Sequence, residues 1–298
     1  MTATPWTEGL PRFEVAIEDE AYPQRLRETA DPPRRLFGVG AASALSLPGL
    51  AVVGARKATP YGLAAAKQFA GWAAGSGYSI VSGAARGCDQ AAHRAALDCG
   101  GTTVAVLGNG ADLAYPRDAG DLLGRIARQG CVVSELPWGH EPAKWTFRAR
   151  NRIIAGLAGA LLVLEAGLPS GTFGTADSAL AAGREVLVVP GSIYAPECRG
   201  PNRLLRQGAT PVTDVSELAQ ELRASIGEPQ AAVVTDLSDS RTAKTADRVL
   251  AALRTNPARP DDLARDLSLD IVEIARRIGA LEAGGDIARY PDGRYGPG

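Results

Sequence analysis

Lys144, Arg148, Arg150 and Arg152 fall within nine consecutive residues, together with Trp145, Phe147 and Asn151. Guanidinium forks match phosphate oxygens, and an aromatic ring beside them offers a base a face to stack on. The apolar run Ile153-Ile154-Ala155 follows at once and nothing acidic follows until Glu165, so the cluster opens a helix. A helix N-terminus already favours anions, and cations gathered there serve an anionic ligand better than they serve the helix. The bland alternative is a solvated basic helix start.

The elements that must position this cluster alternate strictly. Apolar runs at 50–54, 78–81, 102–107, 131–134, 160–164 and 186–189 read as short buried strands. Helical patterns fill 61–74 (Leu63, Phe69 and Trp72 as core candidates), 89–97, 121–128, the stretch from about 150, and 175–182. Continuous apolar strands separated by helices imply a parallel sheet covered on both faces, hence a doubly wound α/β domain with ligands at the carboxyl ends of its strands. The loops leaving those ends carry Gly54 and Arg56, then Ser82-Gly83 and Arg86, then Gly108-Asn109-Gly110, then Ser170-Gly171-Thr172. Several end in Gly and hydroxyl residues at a helix start, which exposes backbone N–H groups to phosphates, although Gly54 and Gly83 taken alone are ordinary turn residues.

Composition narrows the class. A chain of 298 residues with 45% hydrophobic and 22% charged residues can bury a full core in one large and one small domain. Its net charge of −1 confines any nucleic-acid surface to a local patch. The four cysteines have no metal-type spacing, so no zinc site is expected and reduced thiols of a cytoplasmic protein are. No export signal or membrane-length apolar run is present. Neither G-x-G-x-x-G nor a Walker-type loop occurs, so no cofactor is expected. His93 in an Ala-rich helix reads as a packing histidine, and Asp89 as that helix's cap.

Residues 1–45, broken by Pro23, Pro32 and Pro33, read as an irregular extension lying on the main domain, which occupies 46–224. A polar, breaker-rich linker spans 225–242. In 243–298, three helices and a hairpin around Asp292-Gly293 describe a winged helix. Arg276 and Arg277 on its third helix are balanced by acids such as Asp261, Asp270 and Glu273, which points to protein contact or regulation rather than duplex reading.

Four segments in order, Val53-Gly54-Ala-Arg56, Ser82-Gly83-Ala-Ala-Arg86-Gly87, Phe147-Arg-Ala-Arg150-Asn151-Arg152-Ile-Ile-Ala-Gly156-Leu157, and Gly183-Arg184 with Pro190-Gly191, resemble the DprA/Smf family of DNA-processing proteins. The resemblance implies an extended Rossmann fold and a homodimer. It also implies a binder of single-stranded DNA, not a catalyst, that protects incoming strands and loads the RecA recombinase during natural transformation. It implies phosphate contacts for Arg56, Ser82, Gly83 and Arg86, with Lys144 hydrogen bonding to bases and Phe147 stacking on them. Arg150 and Arg152 would neutralise phosphates or brace the loop, Asn151 would fix its shape, and Ser170-Gly171 would close the same pocket. Arg148 stands where the family commonly has Pro, adding a charge.

Two other readings stay open on the same fold. Phosphoribohydrolases that cleave nucleoside monophosphates carry P-G-G-x-G-T-x-x-E, whereas this chain has Ser178 at the carboxylate position with Asp177 one residue short. One residue turns a helical side chain by about 100°, so Asp177 is a poor substitute. A nucleotide sensor without turnover is the third reading.

Overall fold

A computed structural model describes residues 5–229, 241–267 and 269–297. The chain divides into two compact units, Met1–Val233 and Val234–Gly298. Part of the expected linker, 230–240, lies outside the described residues.

In chain order the first unit comprises β1 (Arg12–Ala16), α1 (Gln24–Arg27), β2 (Arg35–Gly40), β3 (Gly49–Val53), α2 (Pro60–Gly75), β4 (Ser79–Ser82), α3 (Cys88–Asp98), β5 (Thr103–Val106), α4 (Gly120–Gln129) and β6 (Cys131–Ser134). It continues with α5 (Lys144–Leu157), β7 (Ala160–Val163), α6 (Thr172–Ala181), β8 (Glu185–Val188), α7 (Arg199–Arg206), β9 (Thr210–Pro211) and α8 (Val215–Ile226). Nine strands form one sheet in the order β1-β2-β6-β5-β4-β3-β7-β8-β9. The pairs from β6 through β9 are parallel.

Every residue of β3, β4, β5, β6 and β7 is buried, because helices cover both faces. Alternate side chains divide between two cores. Leu50, Val52, Ile80, Leu162 and Leu187 meet Phe69, Ala70 and Ala73 of α2 and Leu218 and Leu222 of α8. Ala51, Val53, Val81, Val104, Val106, Leu161 and Val163 meet Ile153, Ile154 and Leu157 of α5. Leu63 is exposed and Trp72 only partly buried, because alanines supply most of the buried face of α2.

Residues 1–45 are less irregular than the prolines imply. β1 and β2 pair antiparallel, and β2 pairs antiparallel with β6, so this segment lengthens the sheet. The prolines fall between these strands, where they cost no ladder bond. The basic cluster opens a helix as expected, but α5 begins at Lys144 rather than near Arg150, so the whole cluster is helical. Arg148 keeps the N–H that a proline would lack, which lets the helix run through it.

The second unit holds α9 (Arg241–Thr255), α10 (Pro260–Leu267), α11 (Ile271–Ala283), β10 (Ala288–Arg289) and β11 (Tyr295–Gly296). Val249, Leu253, Leu263, Ile274, Ile278 and Ile287 form its core. Asp270 caps α11 by accepting from Val272 N and Glu273 N. The wing pairs β10 with β11, and Ala258 bridges to Tyr295. This is a winged helix.

Candidate nucleic-acid interface

Loops leaving β3, β4 and β5 at their carboxyl ends converge on the start of α5. They enclose a cavity of about 240 Å3 lined by Arg56 and Lys57 after β3, Gly83, Ala85 and Arg86 after β4, Leu107, Asn109, Tyr115 and Pro116 after β5, and Phe147 and Arg150 of α5. That volume lies below the roughly 300 Å3 of typical small-molecule sites, so it suits one flat ring system better than a whole nucleotide.

Phe147 is set into this cavity by its neighbours in sequence and space. The buried Thr146 hydroxyl lies within hydrogen-bond reach of the Gly108 and Ala143 carbonyls and accepts from Ala143 N, which pins the first turn of α5 to the loop after β5. A Cβ at Gly108 would lie 2.7 Å from Phe147 Cδ1, so glycine is what lets the ring approach. The Tyr115 ring lies 5.0 Å from Phe147 with an interplanar angle of 36°, and the Arg56 guanidinium stands 5.9 Å from the Phe147 centroid. Both geometries are favourable for aromatic and cation–π attraction. Arg56 and Lys57 are exposed, so an aromatic floor is rimmed by solvent-facing cations.

Arg150 does something else. It is 6% exposed, and Nη1 donates to the Gly83 carbonyl at 3.0 Å and to the Val106 carbonyl. Burial pushes its pKa down to about 10, against the pull of the Asp89 carboxylate and with the push of Arg56. Asp89 is buried beside it and accepts from Gly83 N at 3.1 Å and Ala85 N at 3.4 Å. Burial raises Asp89's pKa, opposed by Arg150 and those N–H groups. Asp89 therefore does not cap α3, whose N-cap is Gly87; it clamps the turn after β4. Both side chains hold the backbone of the turn after β4, which forms the cavity wall.

The remaining expected residues separate. Arg152 donates Nε to Asp31 at 2.8 Å and Nη2 to Glu135 at 2.7 Å, and these carboxylates raise its pKa against the effect of burial. Two carboxylates already neutralise it, so the geometry makes it a tie to the N-terminal segment and not a phosphate ligand. Ser82 is fully buried, donates to the Val52 carbonyl at 2.6 Å and lies against the Asp89 carboxylate, and it does not line the cavity. Arg86 pairs with Asp118 at 3.0 Å with both side chains exposed. Such a pair is worth about 0–1 kcal/mol, so a phosphate can replace the carboxylate. Lys144 and Arg148 are exposed on α5 but do not line the cavity. Ser170 and Gly171 follow β7, on the other side of β3 from β4 and β5, and do not close the cavity. Asn151 Nδ2 donates to the Gly171 carbonyl at 3.4 Å, tying α5 to that loop.

The crevice at the switch in strand order, between β3 and β7, is the usual ligand seat of such sheets. Here buried Glu165 fills it. Its carboxylate accepts Thr59 N at 2.9 Å and the Thr59 hydroxyl at the N-terminus of α2. A Cβ at Gly62 would lie 2.3 Å from Glu165 Oε2, so the carboxylate sits tightly against that helix. His93 is fully buried with Nδ1 2.7 Å from the Thr103 hydroxyl, and burial first, then Arg150 and Arg94, lowers its pKa to about 3. It is neutral at physiological pH.

Tyr115 and Lys57 were not singled out from the sequence, and Asn109 was named only as part of the loop after the third predicted strand. Tyr115 had a detectable signal, an aromatic before Pro116 in a loop leaving a predicted strand. Asn109 is fully buried and donates to the Gly110 and Leu113 carbonyls, holding the loop's shape.

Comparison with known proteins places this geometry. Residues 14–223 match the family model for DNA recombination-mediator protein A, and residues 228–293 match that for the DprA winged helix domain. Protein Smf of Escherichia coli is 42% identical over 219 residues, covering 73% of this chain and 59% of that protein. The chain spans about half the length of this and similar curated relatives. The X-ray structure of DNA processing protein A from Streptococcus pneumoniae superposes with a TM-score of 0.67 at 39% identity, covering 72% of this chain and 75% of that one. DNA processing protein A of Helicobacter pylori, described as having a unique single-stranded DNA binding mode, gives 0.66 at 28% identity, covering 73% and 98%. The chain belongs to the DNA recombination-mediator protein A family, known also as DprA or Smf.

Proposed function

We propose that this protein binds single-stranded DNA without sequence preference, protects it, and loads the RecA recombinase onto it during natural transformation. The observation that carries the DNA-binding part is the Phe147–Tyr115 aromatic floor rimmed by Arg56 and Lys57. Every base has a π-face, so stacking there is indifferent to sequence, while the cations take phosphates. A base reaches a half-buried ring in a small cavity only when it is free of a partner strand, which favours single strands over duplex. The described single-strand binding of the Helicobacter pylori relative supports the same reading.

A binding role without catalysis fits the site. Glu165 holds a carboxylate where a nucleotide's phosphates would sit, and Asp177 is exposed on α6. We assign the winged-helix unit to protein contact, because Arg277 pairs with Glu273, Arg265 with Asp262, and Arg294 with Asp292. A homodimer is part of this reading, and so is a cytoplasmic location. Among the described residues, no helix is long and apolar enough to cross a membrane. The test is binding of fluorescent oligo-dT and its duplex across a salt series, with Arg56→Ala alongside. Salt-dependent preference for the single strand, reduced in the variant, is expected. Equal binding of duplex, or a variant indistinguishable from wild type, refutes the reading.

A further inference from the structure

The structure assigns Trp145 to a second base-stacking position on the single strand, outside the Phe147 cavity, with Lys144 and Arg148 taking the phosphates between the two rings. This assignment deepens the single-strand reading above and rests on it.

Of the four cations in the basic cluster, the fold uses two. Arg150 is bonded to the Gly83 and Val106 carbonyls, and Arg152 to Asp31 and Glu135. Lys144 and Arg148 are exposed, and neither forms an ion pair among the described residues. Other exposed arginines of this unit do find carboxylates: Arg35 pairs with Glu14, Arg86 with Asp118 and Arg125 with Asp98. The sequence around the cluster supplies none, since no acidic residue lies between Glu141 and Glu165. Two unpaired cations side by side are complementary to a polyanion.

Beside them stands Trp145, 62% exposed. Its ring meets no other ring and no cation among the described residues, whereas Trp138 is held by Phe37, Arg12 and Glu14. A single exposed apolar side chain is ordinary by itself. Here its neighbours give it meaning, because an aromatic face among free cations is what an unpaired, charged strand requires.

Helical geometry joins this face to the cavity. Thr146, Arg150, Ile153, Ile154 and Leu157 turn inward. At about 100° per residue, Phe147, Lys144, Arg148 and Trp145 follow one another round the rest of α5. Each lies three or four positions from the next, with Cβ atoms of successive members about 5–6 Å apart. Thr146 pins this turn to the loop after β5, so the arc starts at the cavity itself. A few nucleotides of one strand cover it, with a base on each ring and the backbone over Lys144 and Arg148. A duplex keeps its bases stacked on one another and cannot give separate bases to two rings on different sides of a helix.

The test uses the full chain with fluorescent oligo-dT of about 12 nucleotides, within the range of single-strand site sizes, and an abasic strand of the same length. Trp145→Ala should weaken oligo-dT binding roughly fivefold to 150-fold, the loss of one stacked base, with the log–log salt slope unchanged. The abasic strand, which has phosphates but no rings, should bind variant and wild type alike. Trp145→Phe keeps an aromatic face and should recover most of the lost affinity. Arg148→Ala should lower the slope by about 0.7, and Arg148→Lys should preserve it. A Trp145→Ala variant that binds oligo-dT like wild type, or that weakens the abasic strand equally, overturns the assignment. So does a change in self-association with oligo-dT affinity intact, which gives the ring to a protein contact. Indifference to Arg56→Ala refutes the parent reading, whereas a response to Arg56→Ala with indifference to Trp145→Ala overturns this assignment alone.

Discussion

Gly83→Ala is the sharpest structural test of the cavity wall. A Cβ at Gly83 would lie 2.3 Å from Arg150 Nη1, 2.5 Å from Nη2 and 2.6 Å from Cζ, distances that atoms do not share. The guanidinium must move, and it cannot move freely, because it is 6% exposed and bonded to the Gly83 and Val106 carbonyls beside buried Asp89. Losing two hydrogen bonds from a charged donor costs about 1.5–3 kcal/mol each. Those two carbonyls are the hydrogen-bond partners of the guanidinium, so a loss of about 3–5 kcal/mol is expected. For a unit of this size that is a fall in Tm of roughly 6–20 °C. Urea and thermal unfolding of wild type, Gly83→Ala, Arg150→Met and the double variant measure it as a cycle. Gly83→Ala should cost close to nothing in the Arg150→Met background, because no guanidinium remains to collide with. A single variant within about 1 kcal/mol of wild type, or full additivity in the cycle, would refute the bracing argument.

Arg56→Ala should lower the single-strand salt slope by about 0.7, whereas Arg152→Ala should leave the slope unchanged and lower stability instead, since two carboxylates already hold that side chain. Matched salt titrations and melts separate the two. Phe147→Ala should weaken oligo-dT binding by about 1–3 kcal/mol. Tyr115→Ala should weaken it less, and the two losses should not add, because the rings are in contact at 5.0 Å; fluorescence anisotropy reads both. His93 titrates near 3 in the folded chain and near 6.5 when exposed, so the unfolded chain takes up the proton first. Its contribution is intact above about pH 6.5 and is lost as pH falls toward 3, reaching about 2 kcal/mol of loss near pH 5. Denaturant unfolding of wild type and His93→Gln across that window should show a shallower acid slope in the variant.

The parallel sheet was legible because its strands are unbroken apolar runs, and a buried strand needs nothing else. β1 and β2 were not, since an edge pair half-covered by the domain alternates weakly and is hidden among prolines. α7 was missed because it is short, polar on its outer face, and carries Pro201 in its first turn. Phe147 and Arg56 stood out by type and position. What sequence could not tell was which cations are free. Arg150 and Arg152 look alike in the chain, yet one is bonded to carbonyls and the other to Asp31 and Glu135, 121 and 17 residues away. Side-chain partners at such separations leave no periodic trace.

The carboxylate of Glu165 at the N-terminus of α2 bears on how the protein behaves among free nucleotides. A helix N-terminus with open N–H groups captures phosphate from any source. Here that position is taken by a residue of the chain itself, with Gly62 allowing the close fit. On the single-strand reading proposed above, Glu165 denies mononucleotides a phosphate seat at that helix N-terminus. What remains for a polymer is a rim of side chains, each making a modest contribution that becomes selective only when many act on one connected chain. On that same proposed reading, discrimination between a nucleic-acid strand and its own building blocks follows from length rather than from chemistry.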